Sequence, residues 1–214
     1  MFSRSKGVKA ALFSLPVFLL AVPSGAPAVG VDHPDRMAGS PAISPPDSSI
    51  LVLAAASLTD VLPRVAQLWT ERTRVPVRFS FGATSRLAPQ TIQGAPADLF
   101  FSADQRWMDW VSDRGGIQKA SRVDLLGNGM VLVVPRNRSG ALSELDELTG
   151  PSIRYIAMAG ENVPAGRYGK AALEAVGLWG DLADRVVRAG NVRGALEWVA
   201  FGEADVGVVY RTDA

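Results

Sequence analysis

Four short stretches carry the residue types best suited to chemistry, and all four are rich in small, neutral donors. They are Ser57-Leu58-Thr59-Asp60, Gly82-Ala83-Thr84-Ser85, Val163-Pro164-Ala165-Gly166 and Asn191-Val192-Arg193-Gly194. Each reads as the start of a helix. Ser-x-x-Asp is close to a capping box. Thr84 and Ser85 sit in a hydroxyl-bearing turn. Pro164 suits a first helical turn, where its missing N–H does no harm. Asn191 is a good N-cap. A helix start leaves backbone N–H groups unpaired and carries partial positive charge. The chemistry this suits is capture of an anion without any covalent step. Ordinary capping explains any one of the four, and their spacing does not show that they converge.

The rest of the composition removes competing chemistries. Among 214 residues there is no Cys and one His, His33. Disulfides, Cys nucleophiles and thiolate metal sites are excluded, and Ser-His-Asp catalysis is disfavoured. With 22 Lys+Arg against 21 Asp+Glu, the charge of +1 lacks the basic excess of a nucleic-acid binder. Asp98 and Asp104 flank a predicted strand and could pass for a catalytic pair. Caps and structural hydrogen bonds account for them. Trp107 and Trp110, three apart on a predicted helix, read as packing residues rather than a ligand cage. Arg193, beside one of the four starts, is not assigned a direct salt bridge to the ligand.

Strands and helices alternate to position these starts. Apolar or alternating runs predict strands at 50–55, 75–81, 99–102, 130–134, 153–158 and 206–210. Helical spacing predicts helices at 57–73, 84–93, 105–114, 165–176 and 193–201. In the first of these, Leu58, Val61, Leu62, Val65, Leu68 and Trp69 share one face. Strands separated by helices imply βαβ units and parallel sheets. In such sheets ligands sit beyond the carboxyl ends of the strands, at helix starts.

The N-terminus reads as an export signal. Arg4, Lys6 and Lys9 precede a mostly apolar run at 10–22, and a small-x-small pattern ends at Ala28. That layout predicts a secretory signal peptide at 1–28. The apolar run is too short to span a bilayer. Residues 29–48, rich in Pro, Ser and Gly and containing His33, read as a flexible leader. Removing residues 1–28 takes three cations and no acid, which leaves a slightly acidic chain.

Six segments together resemble the molybdate-binding proteins of molybdate ABC transporters. They are AAASLTD at 54–60, GAPADLFFSADQRWMDW at 94–110, LLGNGMVLVVP at 125–135, VPAGRYGKAAL at 163–173, NVRGALEWV at 191–199 and ADVGVVY at 204–210. The resemblance implies an α/β fold, a two-lobed type II periplasmic binding protein. Its parallel-rich sheets would be flanked by helices, with the ligand cleft between lobes at 49–127 and 128–214. It implies a tetrahedral oxyanion, molybdate or tungstate, held by Ser57 through its hydroxyl and N–H and by Thr84. The second lobe would add the N–H groups of Ala165 and Val192 and the phenol of Tyr210. Thr84 stands where the family often has Ser, and Ser85 is the fallback hydroxyl. The resemblance also implies an exported, monomeric protein that serves a membrane permease, without cofactor, nucleic acid or catalysis. Family members continue beyond the position of Ala214 with a strand that returns to the first lobe and with helices. This return segment is expected to be missing here, through either a fragment or a natural truncation. Its absence predicts a single crossover near 127–129, an unpaired sheet edge and an exposed apolar face.

A binder of sulfate or another small solute on the same fold is the nearest alternative. A truncated interaction module is a further one. Enzymes share this architecture, hydroxymethylbilane synthase among them, but that chemistry needs a cofactor-tethering Cys that this chain lacks.

Overall fold

The computed structural model describes residues 15–21, 49–138 and 142–214. The leader at 29–48, with His33, and most of the signal segment lie outside the described residues. In chain order the elements are β1 (Leu15–Ala21), β2 (Ile50–Ala55), α1 (Val61–Thr73), β3 (Val77–Gly82), α2 (Thr84–Ile92), β4 (Leu99–Ser102), α3 (Gln105–Asp113) and β5 (Val123–Asn128). Then follow β6 (Met130–Val133), β7 (Ile156–Ala159), α4 (Pro164–Ala175), α5 (Trp179–Leu182), β8 (Val186–Ala189), α6 (Val192–Ala200) and β9 (Val206–Tyr210).

Two sheets form. The first has the order β3-β2-β4-β1-β5 and the second β6-β9-β7-β8. β2 runs parallel to β3 and β4. β7 runs parallel to β8 and β9, and β6 closes that sheet antiparallel to β9. The chain passes from the first sheet to the second between β5 and β6, at Gly129. The fold is therefore α/β and two-lobed, with parallel-rich sheets.

Period-two alternation places helices on both faces of each sheet. In the first lobe Leu53 and Phe100 pack with Leu87, Met108 and Val111 of α2 and α3. Val52, Ala54 and Phe101, from the opposite face, pack with Leu58 and Leu62. In the second lobe Ile156 and Met158 meet Leu173 of α4. Ala157 faces the other way, onto Ala195 and Val199 of α6. Burying each such aliphatic or aromatic side chain contributes about 1.5–3 kcal/mol before entropy is counted.

The structure departs from the sequence reading around the first helix and at the N-terminus, besides adding β5, β8 and α5. Residues 56–58 form a 3-10 turn whose N-cap is Ala55, and α1 begins only at Val61. Neither Ser57 nor Asp60 makes a side-chain cap bond, so the capping-box reading of this start is wrong. The turn also shifts the phase of α1. Leu58 and Leu62 are buried, while Val61, Val65, Leu68 and Trp69 form an exposed apolar stripe, Leu68 at 59%. Lastly, the apolar run of the signal segment supplies β1. It lies antiparallel between β4 and β5, with Phe18 opposite Ser102 and Leu15 opposite Asn128. The expected gap in the first sheet is filled by this strand.

Candidate ligand-binding site

Every parallel strand ends at the cleft between the sheets. β2 runs into Ala56-Ser57, β3 into Ala83-Thr84, β4 into Ala103, β7 into the loop before α4, and β8 into Asn191-Val192. β9 ends on Tyr210 itself. One small pocket collects these ends. It is lined by Ala55, Ala56, Ser57, Gly82, Ala83, Thr84 and Ala103 from the first lobe. Val163, Pro164, Ala165, Asn191, Val192 and Tyr210 complete it from the second. Ser57, Thr84, Ala165, Val192 and Tyr210 are thus brought together in one pocket. Ser85 does not line it.

The lining is neutral and donor-rich. It contains no Lys, Arg, His, Asp or Glu. Thr84 is buried, and its Oγ1 accepts a 3.0 Å hydrogen bond from the Ala103 N–H. That bond occupies acceptor capacity and leaves the hydroxyl proton free to donate elsewhere. Tyr210 is buried, and its phenol oxygen has no hydrogen-bond partner among the described residues. Burial, reinforced by the negative fields of Asp104 and Asp213, pushes that phenol well above its usual value of 10.0. It therefore stays a neutral O–H donor at physiological pH.

Two helix starts supply backbone donors. No side chain caps α4, whose N-cap is Val163 and whose first residue is Pro164. Its first free amide, that of Ala165, faces no intrahelical acceptor. In α6 the Asn191 side chain accepts from the Gly194 N–H at 3.0 Å. This bond satisfies the third amide of the helix and leaves the first, that of Val192, available. Gly166 lets α4 come this close to β7. A Cβ there would lie 2.2 Å from the Gly160 carbonyl oxygen and 2.3 Å from that of Ala159.

The space is small. The cavity volume is about 10 Å³, room for about one water molecule, so a tetrahedral ion enters only as the lobes part. Among the described residues no group of His, Cys, Asp or Glu could hold a metal ion. No helix among them is long and apolar enough to cross a membrane.

The other residues singled out in the sequence have structural work. Asp98 Oδ2 accepts from the Leu51 N–H at 2.8 Å. Asp104 Oδ1 caps α3 by accepting from the Trp107 N–H at 2.9 Å. Trp107 and Trp110 pack edge to face, 5.6 Å apart. Arg193 does not line the pocket. Its guanidinium lies 2.7 Å from Asp60 Oδ2 and 2.7 Å from Asp213 Oδ1. The sequence reading missed Asp213 and the Arg167–Asp104 pair, because both contacts depend on folded geometry between segments far apart in the chain or across a turn.

Two lobes of parallel-rich α/β structure, closing on a small donor-lined pocket, define a solute-binding protein. Residues 50–214 match the family model described as bacterial extracellular solute-binding protein, and the chain belongs to that family. It is 41% identical over 173 residues to the molybdate-binding protein ModA of Escherichia coli, covering 78% of this chain and 67% of the relative. It is 38% identical to the ModA of Haemophilus influenzae, covering 78% of this chain and 68% of the relative. The solved periplasmic molybdate-binding protein of Azotobacter vinelandii superposes with a TM-score of 0.69 at 27% identity, covering 76% of this chain and 71% of that one. The chain spans about two thirds of the length of the curated relatives it matches.

Proposed function

We propose that this protein binds molybdate, or tungstate, outside the cytoplasm and hands it to the permease of an ABC transporter. The observation that carries this reading is the convergence of neutral donors on a pocket without charge. In it, the Ser57 and Thr84 hydroxyls of one lobe face the Ala165 and Val192 amides and the Tyr210 phenol of the other. A fully deprotonated tetrahedral dianion offers acceptors alone, so an all-donor lining complements it. Hydrogen bonds to a charged group contribute about 1.5–3 kcal/mol each, offset by the cost of association. A protonated phosphate brings a donor of its own and meets no carboxylate in this lining to accept it. The relatives' names supply the choice of molybdate among dianions.

In this reading the lobes are residues 49–127 and 128–214. The segment 1–28 directs export, and its removal would take β1 out of the first sheet; the protein acts as a monomer without a cofactor. Sulfate, with the same charge and shape but shorter bonds, is the competitor that pocket size must reject. The test is titration of the purified protein with molybdate, followed by Trp fluorescence and calorimetry. Trp107 is a suitable reporter, because its indole N–H donates across the cleft to the Asn162 carbonyl at 3.0 Å. Saturable 1:1 binding that excess sulfate does not displace is expected. A folded protein that shows no saturable response to molybdate would overturn the proposal.

A further inference from the structure

Two arginines of the second lobe reach across the cleft to the first. Arg167, in α4, donates from Nη1 to Asp104 Oδ2 at 2.8 Å. The Asp104 side chain is fully buried. Its carboxylate is divided between two tasks, since Oδ1 caps α3 in its own lobe while Oδ2 takes the cation of the other. Arg193, in α6, pairs with Asp60 Oδ2 at 2.7 Å and donates from Nη2 to the Ser57 carbonyl at 3.4 Å. Its Nε lies 2.7 Å from Asp213 Oδ1, an ion pair within its own lobe. The Asp213 side chain is fully buried on Arg193's own lobe. It anchors the guanidinium so that its outer face points at the first lobe.

The positions of these ties matter. Arg193 follows Val192 and touches the peptide of Ser57, so it joins two inferred ligand contacts from opposite lobes. Arg167 lies two residues beyond Ala165. Asp104 follows Ala103, whose N–H holds the Thr84 hydroxyl. An exposed ion pair such as Asp60–Arg193 contributes about 0–1 kcal/mol by itself. The buried carboxylate of Asp104 is a different case, because it loses its cation when Arg167 withdraws, whereas Asp213 sits on Arg193's own lobe and keeps its cation.

We propose that Arg167–Asp104 and Arg193–Asp60/Ser57 form a two-point closure latch. In it Arg167 and Arg193 are positioning residues that set how long a bound oxyanion is retained, while the neutral lining sets which ion is chosen. This inference rests on the oxyanion reading of the pocket. Parting the lobes breaks both ties and takes Asp104 away from its cation, while Asp213 keeps Arg193 on its own lobe, so the lost Arg167–Asp104 and Arg193–Asp60 attractions oppose opening whatever the ion. Interface charge pairs of this kind act mainly on dissociation.

The chain has no Cys, so Glu71→Cys and Glu203→Cys, both at exposed positions on opposite lobes, accept one label each. Spin-label distances then report closure without any ligand. Asp104→Asn keeps an N-cap residue and removes the charge. Arg193→Lys keeps the charge but cannot engage three partners with a planar fork. Each variant is expected to broaden the inter-lobe distances toward longer values. Each should raise the molybdate dissociation rate about tenfold in stopped flow, with the molybdate-over-sulfate preference unchanged. Unaltered distances and dissociation rates in both folded variants would overturn the latch. A changed ion preference would also overturn it, because the arginines would then belong to the ligand contacts. If the parent protein binds no molybdate, the oxyanion reading fails, and the distance measurement alone decides for or against the latch.

Discussion

The two walls of the pocket are built from different materials. The first lobe presents side-chain hydroxyls, Ser57 at the end of β2 and Thr84 at the start of α2. The second presents main-chain amides at the starts of α4 and α6, with a single side chain, Tyr210. The first wall is therefore rewritten by ordinary substitution. Most of the second is insensitive to side-chain identity, because every residue except proline carries the same amide. The contrast has a structural cause. The Asn191 side chain caps α6 at its third amide, and α4 has no side-chain cap, so both helices keep early amides pointed at the cleft. In α2 the Thr84 hydroxyl is spoken for as an acceptor by Ala103, which leaves its proton free to donate.

The largest expected effect comes from charging the side-chain wall. Ser57→Asp places a carboxylate where a dianion would sit. At about 4 Å two unit charges interact by about 4 kcal/mol at an effective dielectric near 20, and the ion carries two. Molybdate affinity should fall about a thousandfold or more in calorimetry. Ser57 is buried in the 3-10 turn at 56–58 and not in the first turn of α1, so circular dichroism must first show the variant folded. Affinity within about tenfold of the parent would mean that this wall does not face the ion.

Proline gives the matching attack on the amide wall. Val192 is the first residue of α6, the helical position that tolerates proline best. Asn191 before it is extended, at φ −158 and ψ 178, as a residue preceding proline should be. Val192→Pro therefore removes one donor while leaving the helix start intact. Loss of a charge-assisted bond of about 1.5–3 kcal/mol corresponds to a ten- to hundredfold weaker complex. Unchanged affinity, with circular dichroism matching the parent, would remove Val192 from the site.

How much of this was legible in the sequence differs by level. Six strands and five helices followed from apolar runs and periodicity, because burial on one face or two leaves a direct trace. β5 was missed, as VDLLGN is mostly exposed and lacks a continuous apolar run. β8 was missed because VVRA is four residues long and half-buried. The phase error in α1 arose because a 3-10 turn at 56–58 has no strong local signature. For β1, an apolar run with basic residues before it reads as an address, and strand pairing with β4 and β5 is a long-range event. The helix starts announced themselves as anion sites, but their convergence did not. It depends on two sheets delivering their strand ends to one cleft. The cross-lobe arginines were illegible for the same reason, Arg193 and Ser57 being 136 residues apart.

Tyr210 is where the two walls trade stability against binding, and it gives the smallest but most diagnostic effect. Its buried hydroxyl has no partner among the described residues, which costs about 1–3 kcal/mol of folding stability. Tyr210→Phe should relieve that cost and raise the Tm of the free protein by about 2–4 °C per kcal/mol recovered. Molybdate affinity should fall about tenfold, as one donor is lost. The pH dependence separates the two roles. Burial raises the folded phenol well above 10.0, while the unfolded chain ionises near that value. The unfolded state therefore loses its proton first, and the parent protein should lose stability as pH rises from about 10 toward the folded pKa. The Phe variant lacks that contribution, so the difference in Tm between the two should widen above pH 10. Below it, the phenol remains a neutral donor and its contribution to binding should not vary with pH. A Phe variant less stable than the parent across this range would mean that the hydroxyl is satisfied within the fold. Tyr210 would then be a core residue, and the second wall would consist of amides alone.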